Sequence, residues 1–281
     1  MRFGISTHLF HDAPLDRTHL QAVADKGFDC IELFATRTHF DYHDAAAAAR
    51  LGEWLRATGL TLHSVHAPIT DSLVKGVWGT AYSNAAADAK RRALAVQETE
   101  YAIKLASVLP YQFLVVHLGV PDEYANPGDN ARDAARQSVE AFAATAAKHN
   151  VKLALEVIPN ALSTPEALVR LVEQDLDIPE IAICGICMDV GHAHVMGDVP
   201  DAIETVAGHL TTTHIHDNDG RRDSHQMPFD GSLDWASALM AFQKVGYDDV
   251  LLFELAGTDD PQRVLERARA ARLRFEEILA S

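Results

Sequence analysis

The chain is 281 residues long, 48% apolar and 23% charged, ordinary proportions for a soluble protein with one large buried core, so a single domain over residues 1–281 is expected. Its formal charge of -16 speaks against a nucleic-acid partner, because a surface that neutralises phosphates carries a basic patch. No apolar run approaches the ~20 residues that cross a bilayer, MRFGISTHLF lacks the apolar segment of a signal peptide, and three cysteines are too few for a disulfide framework, which together predict a cytoplasmic protein without a membrane partner.

Strand-like and helix-like segments alternate from one end to the other. FGIST (3–7) leads to an amphipathic stretch over Leu20–Lys26, and CIELFA (30–35) to Ala45–Thr58. TLHSVHA (61–67) leads through an irregular excursion, Ile69–Ala87, to Lys90–Val108. FLVVHLG (113–119) leads through a second loop, Pro121–Asp129, to Ala131–His149. KLALEVI (152–158) precedes Pro165–Gln174; ICMDV (186–190) and TTTHIHD (211–217) precede Leu233–Val245; DVLLFEL (249–255) precedes Pro261–Leu279. Near-continuous apolar strands separated by helices predict a parallel sheet covered on both faces, and eight such units predict an α/β fold closed as a (β/α)8 TIM barrel. A doubly wound open sheet is the alternative, but it gathers its ligands at one switch point, whereas here polar residues close strand after strand. Ser163-Thr164-Pro165-Glu166 reads as a capped helix start, and Gly27, Gly59 and Gly246 read as left-handed helix ends. Both irregular loops leave the mouth of the barrel and are candidates for covering a substrate.

His66, His117, Glu156, Asp189, His192, His216 and Glu254 each fall at or just past the end of an apolar run. In a barrel all strand C-termini converge on one mouth. Carboxylates flanked by apolar residues, Glu156 in LALEV and Glu254 in LLFEL, are costly to bury unless something collects them, and a divalent metal would do so. Mixed carboxylate and imidazole donors without thiolate suit Mn, Zn, Co or Fe, with Mg as a less favoured occupant. Glu156, Asp189, His216 and Glu254 are the expected ligands. His8, ending the first strand, is a candidate for substrate contact, while Glu32 belongs either to the mouth or to the lower barrel. Phe10, Phe34 and Trp78 are expected in core packing rather than against a sugar ring. His63, His194 and His214 are read as packing or supporting residues. Cys184-Gly-Ile-Cys187 lacks the second cysteine pair of a zinc site, so both are expected in the core.

MDVGHAH, HIHDNDGRRDSH and LLFEL, set in this βα rhythm, resemble the xylose isomerase-like TIM barrels, a superfamily of sugar isomerases and epimerases, enzymes of inositol breakdown and endonuclease IV. The resemblance covers essentially the whole chain. Its ketose 3-epimerase branch implies one metal on Glu156, Asp189, His216 and Glu254, with Glu156 and Glu254 exchanging a proton with a substrate carbon. It also implies His192 and Arg222 as substrate-binding residues, a small-molecule sugar as partner, a role in carbohydrate metabolism, and pairing into a homo-oligomer. The endonuclease IV branch (AP endonuclease family 2) implies a multinuclear zinc phosphoesterase, in which His66, His117, His192, Asp223 and His225 join the four as ligands. The acidic charge argues against the nuclease. Phe229-Asp230-Gly231 departs from the Gly-Glu-Gly turn usual after the Asp-x-His pair. No glycine-rich phosphate cradle is evident, which favours an unphosphorylated sugar.

Overall fold

The structure, a computed structural model, describes residues 1–74, 76–178, 183–257 and 260–280. Its strands are β1 (Arg2–Ser6), β2 (Cys30–Phe34), β3 (Thr61–His66), β4 (Leu73–Val74), β5 (Val77–Trp78), β6 (Phe113–Val116), β7 (Lys152–Glu156), β8 (Cys184–Asp189), β9 (Leu210–His214) and β10 (Val250–Phe253). The helices are α1 (Arg17–Asp25), α2 (Ala45–Thr58), α3 (Ala89–Lys104), α4 (Arg132–Lys148), α5 (Pro165–Arg170), α6 (Val190–Met196), α7 (Val199–Val206), α8 (Trp235–Lys244) and α9 (Pro261–Leu279). Eight strands pair in parallel in the order β10-β1-β2-β3-β6-β7-β8-β9. The ring closes where Ile215, just past β9, donates its N–H to Leu252 O at 2.7 Å and accepts from Glu254 N at 3.1 Å. This is the (β/α)8 barrel.

Aspartate starts most of the helices. Asp16, Asp44, Asp88, Asp189, Asp198, Asp234 and Asp260 each accept backbone N–H bonds in the first turn that follows, and Thr164 does so for α5. Each such cap contributes about 1 kcal/mol and also sits well with the positive end of the helix dipole. Gly59 closes α2 at φ +76°, a left-handed conformation that glycine adopts without strain.

Strand alternation divides the buried residues between two compartments. Leu114, Val116, Leu153, Leu155, Ile186 and Met188 belong to the large cluster beneath the helices, whereas Phe113, Val115, Ala154 and Cys187, from the alternate positions, form a small cluster of their own. Successive side chains on a strand face opposite sides, so this second set lines the barrel interior. His117, Glu156 and Asp189 follow Val115, Ala154 and Cys187 by two residues and therefore continue the interior face upward to the mouth. Cys30, Cys184 and Cys187 are buried free thiols, as expected of core cysteines.

Several details differ from the sequence reading. Residues 191–206, to which no element is assigned from the sequence, carry most of α6 and all of α7, and the excursion after β3 contains the small antiparallel hairpin β4–β5. That hairpin holds Trp78 52% exposed, so Trp78 is not a core residue, while Phe10 and Phe34 are buried. Among the described residues no helix is long and apolar enough to cross a membrane.

Candidate metal centre

Glu156 is the hub of the mouth. Fully buried at the end of β7, it places Oε2 2.9 Å from His117 Nε2 and 3.3 Å from His66 Nε2, and Oε1 3.1 Å from His214 Nδ1. Around it lie three groups whose ligand-type atoms all fall within 4.8 Å of one another: His66, His117 and Glu156; Glu156, Asp189, His214 and Glu254; and His192, His216, Asp223 and His225. The second draws one residue from each of four neighbouring strand ends, β7 to β10. Within it His214 Nδ1 lies 3.3 Å from Glu254 and 3.6 Å from Asp189.

The position expected for His216 is taken by His214. Both imidazoles face inward because they are two residues apart in THIHD, but His216 stands one step higher, with Nε2 3.0 Å from Asp189 and its ring stacked on His225 at 4.0 Å between centroids. His216 therefore belongs to the third group, in which Asp223 Oδ2 is 3.1 Å from both His192 Nε2 and His225 Nε2. Gly191 makes room for it, since a Cβ there would stand 1.9 Å from His216 Cε1. Glu32, too, is a member of the site's foundation: fully buried, it lies 3.1 Å from His214 Nε2 and accepts from the Ser6 and Ser64 hydroxyls at 3.1 and 2.8 Å.

The imidazoles show a common arrangement. Nδ1 of His66 meets the carbonyl of Ala67 at 2.8 Å, Nδ1 of His192 that of Val157 at 3.0 Å, and Nδ1 of His225 that of Glu254 at 3.0 Å. A carbonyl only accepts, so each Nδ1 carries a proton, and each Nε2 is turned into the cluster. Metal-ligating histidines are commonly fixed in this way. His216 Nδ1 and Asp223 Oδ1 are buried without a hydrogen-bond partner, and Glu156 Oε2, though close to the imidazoles of His66 and His117, accepts no well-aligned hydrogen bond, which three converging donor sets for divalent ions would explain. The residues present thus fit a metal.

Charge pairing fixes the ionisation of the site. Burial opposes the charge on Glu156, but the imidazoles of His117 and His214 outweigh it and hold the carboxyl well below the usual range. Asp189 and Asp223 are likewise held low against burial, Asp189 by His192 and His216, Asp223 by His225 and His192. Against the opposing effect of burial, Glu156 raises His66 to about 9, Asp189 and Asp223 raise His192 to about 10, and Asp223 raises His225 to about 9. His8, 4.8 Å from the Phe34 ring and 5.5 Å from that of His225, is held well below its ordinary value by burial and by His225. It is therefore a neutral group on the wall of the mouth.

Arg222 is exposed and lines, with Asp219, Arg221, Ser224 and Gln226, an open cavity of about 460 Å³ beside the third group. The departure at Phe229-Asp230-Gly231 is accommodated: Phe229 takes φ +77°, its N–H donates to Asp217 at 2.9 Å, and its ring lies under the Arg274 guanidinium at 3.8 Å. His63 is buried low in the barrel against Thr212, and His194 binds Ser232 at the rim.

A closed parallel barrel with buried carboxylates and imidazoles gathered at the C-terminal ends of its strands defines a class of TIM barrel that carries its chemistry at the mouth. The xylose isomerase-like TIM barrel family matches residues 20–274, and the chain belongs to it. It is 28% identical over 262 residues to the uncharacterized protein MJ1311 of Methanocaldococcus jannaschii, covering 90% of this chain and 83% of that one. Among solved structures it is similar to a D-tagatose 3-epimerase-like protein (TM-score 0.81, 24% identity, 100% of this chain and 98% of that one). It is also similar to the IolI protein with a bound zinc atom (TM-score 0.76, 15% identity, 100% and 98%).

Proposed function

We propose that the chain is a metal-dependent sugar isomerase or epimerase that moves a proton at the carbon next to a substrate carbonyl, with Glu156 and Glu254 as the acid–base pair. The observation that carries this reading is the convergence of Glu156, Asp189, His214 and Glu254 from four successive strand ends onto one point. A divalent ion held there would polarise the carbonyl and acidify the neighbouring C–H. The two glutamates come from β7 and from the end of β10, flanking Asp189 and His214, so a sugar carbon between them has a carboxylate on either side. Glu156, kept ionised by His117 and His214, begins as the proton acceptor; Glu254 returns a proton to the other face. His8, His192 and Arg222 would bind substrate oxygens. The name of the D-tagatose 3-epimerase-like neighbour agrees with a free ketose, and the zinc in IolI agrees with a metal on this kind of mouth. We further read residues 1–281 as a single cytoplasmic domain that pairs with a second copy.

Exchange of a substrate C–H with deuterated solvent, followed by NMR over a panel of ketoses, tests the proposal. Exchange by the metal-loaded protein, abolished in Glu156→Gln and Glu254→Gln, is the expected result; no exchange with any ketose removes the proposal.

The first and third groups favour a second reading, a multinuclear zinc phosphoesterase, because nine groups beside one hub exceed what a single ion needs. Metal analysis separates the two. About one ion per chain supports the isomerase or epimerase, whereas two or three zinc ions with cleavage of a phosphodiester or an abasic-site duplex support the hydrolase.

A further inference from the structure

Beneath the mouth lies one carboxylate that proton transfer does not use. We propose that Glu32 is a positioning residue: it fixes His214 in the Nε2–H tautomer and in the orientation that aims Nδ1 at Glu156, Asp189 and Glu254. The inference rests on the reading that this group holds a metal. Glu32 is supplied by β2, across the barrel interior from β9, and its carboxylate meets three polar partners. Ser6 from β1 donates to Oε1, Ser64 from β3 donates to Oε2, and His214 Nε2 stands 3.1 Å from Oε2. Two hydroxyls from flanking strands thus lock the carboxylate plane, leaving one lone-pair direction on Oε2 for the imidazole.

The logic is one of donors and acceptors. An ionised carboxylate has no proton to give, so the His214–Glu32 bond requires hydrogen on Nε2; with Nε2 so held, an ion among Glu156, Asp189 and Glu254 would displace only the proton that Nδ1 shares with Glu156 at 3.1 Å, leaving Nδ1 the lone pair that a ligand needs. His66, His192 and His225 obtain their tautomer from backbone carbonyls and turn Nε2 to the cluster; His214 is reversed, with Nδ1 inward and Nε2 on a side chain. Among the described residues no backbone carbonyl accepts from His214 Nε2, so the tautomer depends on residue 32. The charge also makes Nδ1 a stronger donor than a carbonyl partner would.

A brace between strands would explain the burial of Glu32 equally well, so the test must read the imidazole. Zinc affinity of the wild type and of Glu32→Gln is measured by competition with a chromophoric chelator, beside thermal unfolding of each. Glutamine keeps an acceptor and the size of the side chain but removes the charge. A 10–100-fold loss of affinity is expected. Affinity within about 2-fold of the wild type, whatever the change in unfolding temperature, overturns the proposal. Long-range 1H–15N correlation spectra of the zinc-loaded wild type, with His214 assigned by its loss in His214→Gln, decide the matter even if the Glu32 variant fails to fold. A proton on Nε2 supports the proposal and a proton on Nδ1 overturns it. A wild type that binds no zinc fails the metal reading itself, a result distinct from equal affinities in the two proteins.

Discussion

Gly191→Ala isolates a single steric contact at the site. The added Cβ would lie 1.9 Å from His216 Cε1 and 2.2 Å from Nδ1, against the ~3.5 Å at which carbon atoms meet without repulsion, so the ring must retreat by about 1.5 Å. His216 has little freedom to do so, because its Nε2 is bound to Asp189 at 3.0 Å and its ring is stacked on His225. Loss of the bond to an ionised carboxylate costs about 1.5–3 kcal/mol. Overpacking costs about 1–3 kcal/mol, and alanine in place of glycine near the start of α6 recovers up to about 1 kcal/mol. The net expectation is a loss of about 2–5 kcal/mol, with unfolding about 5–15 °C lower for a chain of this size. Urea unfolding of the metal-free protein measures the change. Any zinc held by His192, His216, Asp223 and His225 should be released while an ion in the group containing His214 is kept. A variant within about 0.5 kcal/mol of the wild type, with unchanged metal content, would refute the placement of His216 against Gly191.

The metal-free protein should be most stable near pH 6.5. His66 and His225 at about 9 and His192 at about 10 are raised above the ~6.5 of an unfolded histidine, so their contribution is full below pH 6.5 and disappears as pH climbs through 9 to 10. His39, lowered to about 4 by burial, acts in the opposite sense, losing its contribution as pH falls from 6.5 through 4. Thermal midpoints that rise between pH 7 and 10 in chelator would contradict this pattern. Asp217→Asn should cost about 2–3 kcal/mol in urea unfolding, since Asp217 accepts from Phe229 N, Leu233 N, Asn218 N and Trp235 Nε1, and an amide cannot accept on both sides. An unchanged midpoint would show that the loop stands without it. Trp78→Ser, by contrast, should leave stability within about 0.5 kcal/mol, because the side chain is half exposed on its hairpin. A drop beyond 1 kcal/mol in the same assay would place Trp78 in a packed contact.

Much of the barrel was legible because its strands are short, apolar and closed by polar residues, a pattern that neither surface strands nor helices share. The recurring Asp before a helix was an equally local signal, although a helix start was read directly only at Ser163-Thr164. What escaped was set by distances between strands rather than along them. Parity puts both His214 and His216 inside, but which of them reaches the level of Glu156 depends on stagger, and the register shift between Ile186 and Cys187 where β8 meets β9 alters that stagger. Glu32 was ambiguous for a similar reason: its apolar neighbours Leu33 and Phe34 gave no sign of Ser6 and Ser64 on adjoining strands. α6 and α7 escaped because they have only seven and eight residues, with Gly191 and Gly197 lowering the helical signal. The β4–β5 hairpin consists of two-residue strands, too short for any alternation to show.

The seam between β9 and β10 gives the site a history as well as a shape. Ile215 ties to the last strand by two hydrogen bonds and stands between His214 and His216, while Glu254 is itself one partner in those bonds. β10 also pairs with β1, some 250 residues earlier in the chain. The second group is therefore incomplete until the last strand has joined β9, and a growing chain could display His66, His117 and Glu156 long before Glu254 arrives. An ion captured on closure would join β7 to β10 across the seam and act as a latch. Binding and barrel closure would then be one event, and the seam would open first when the ion is withdrawn.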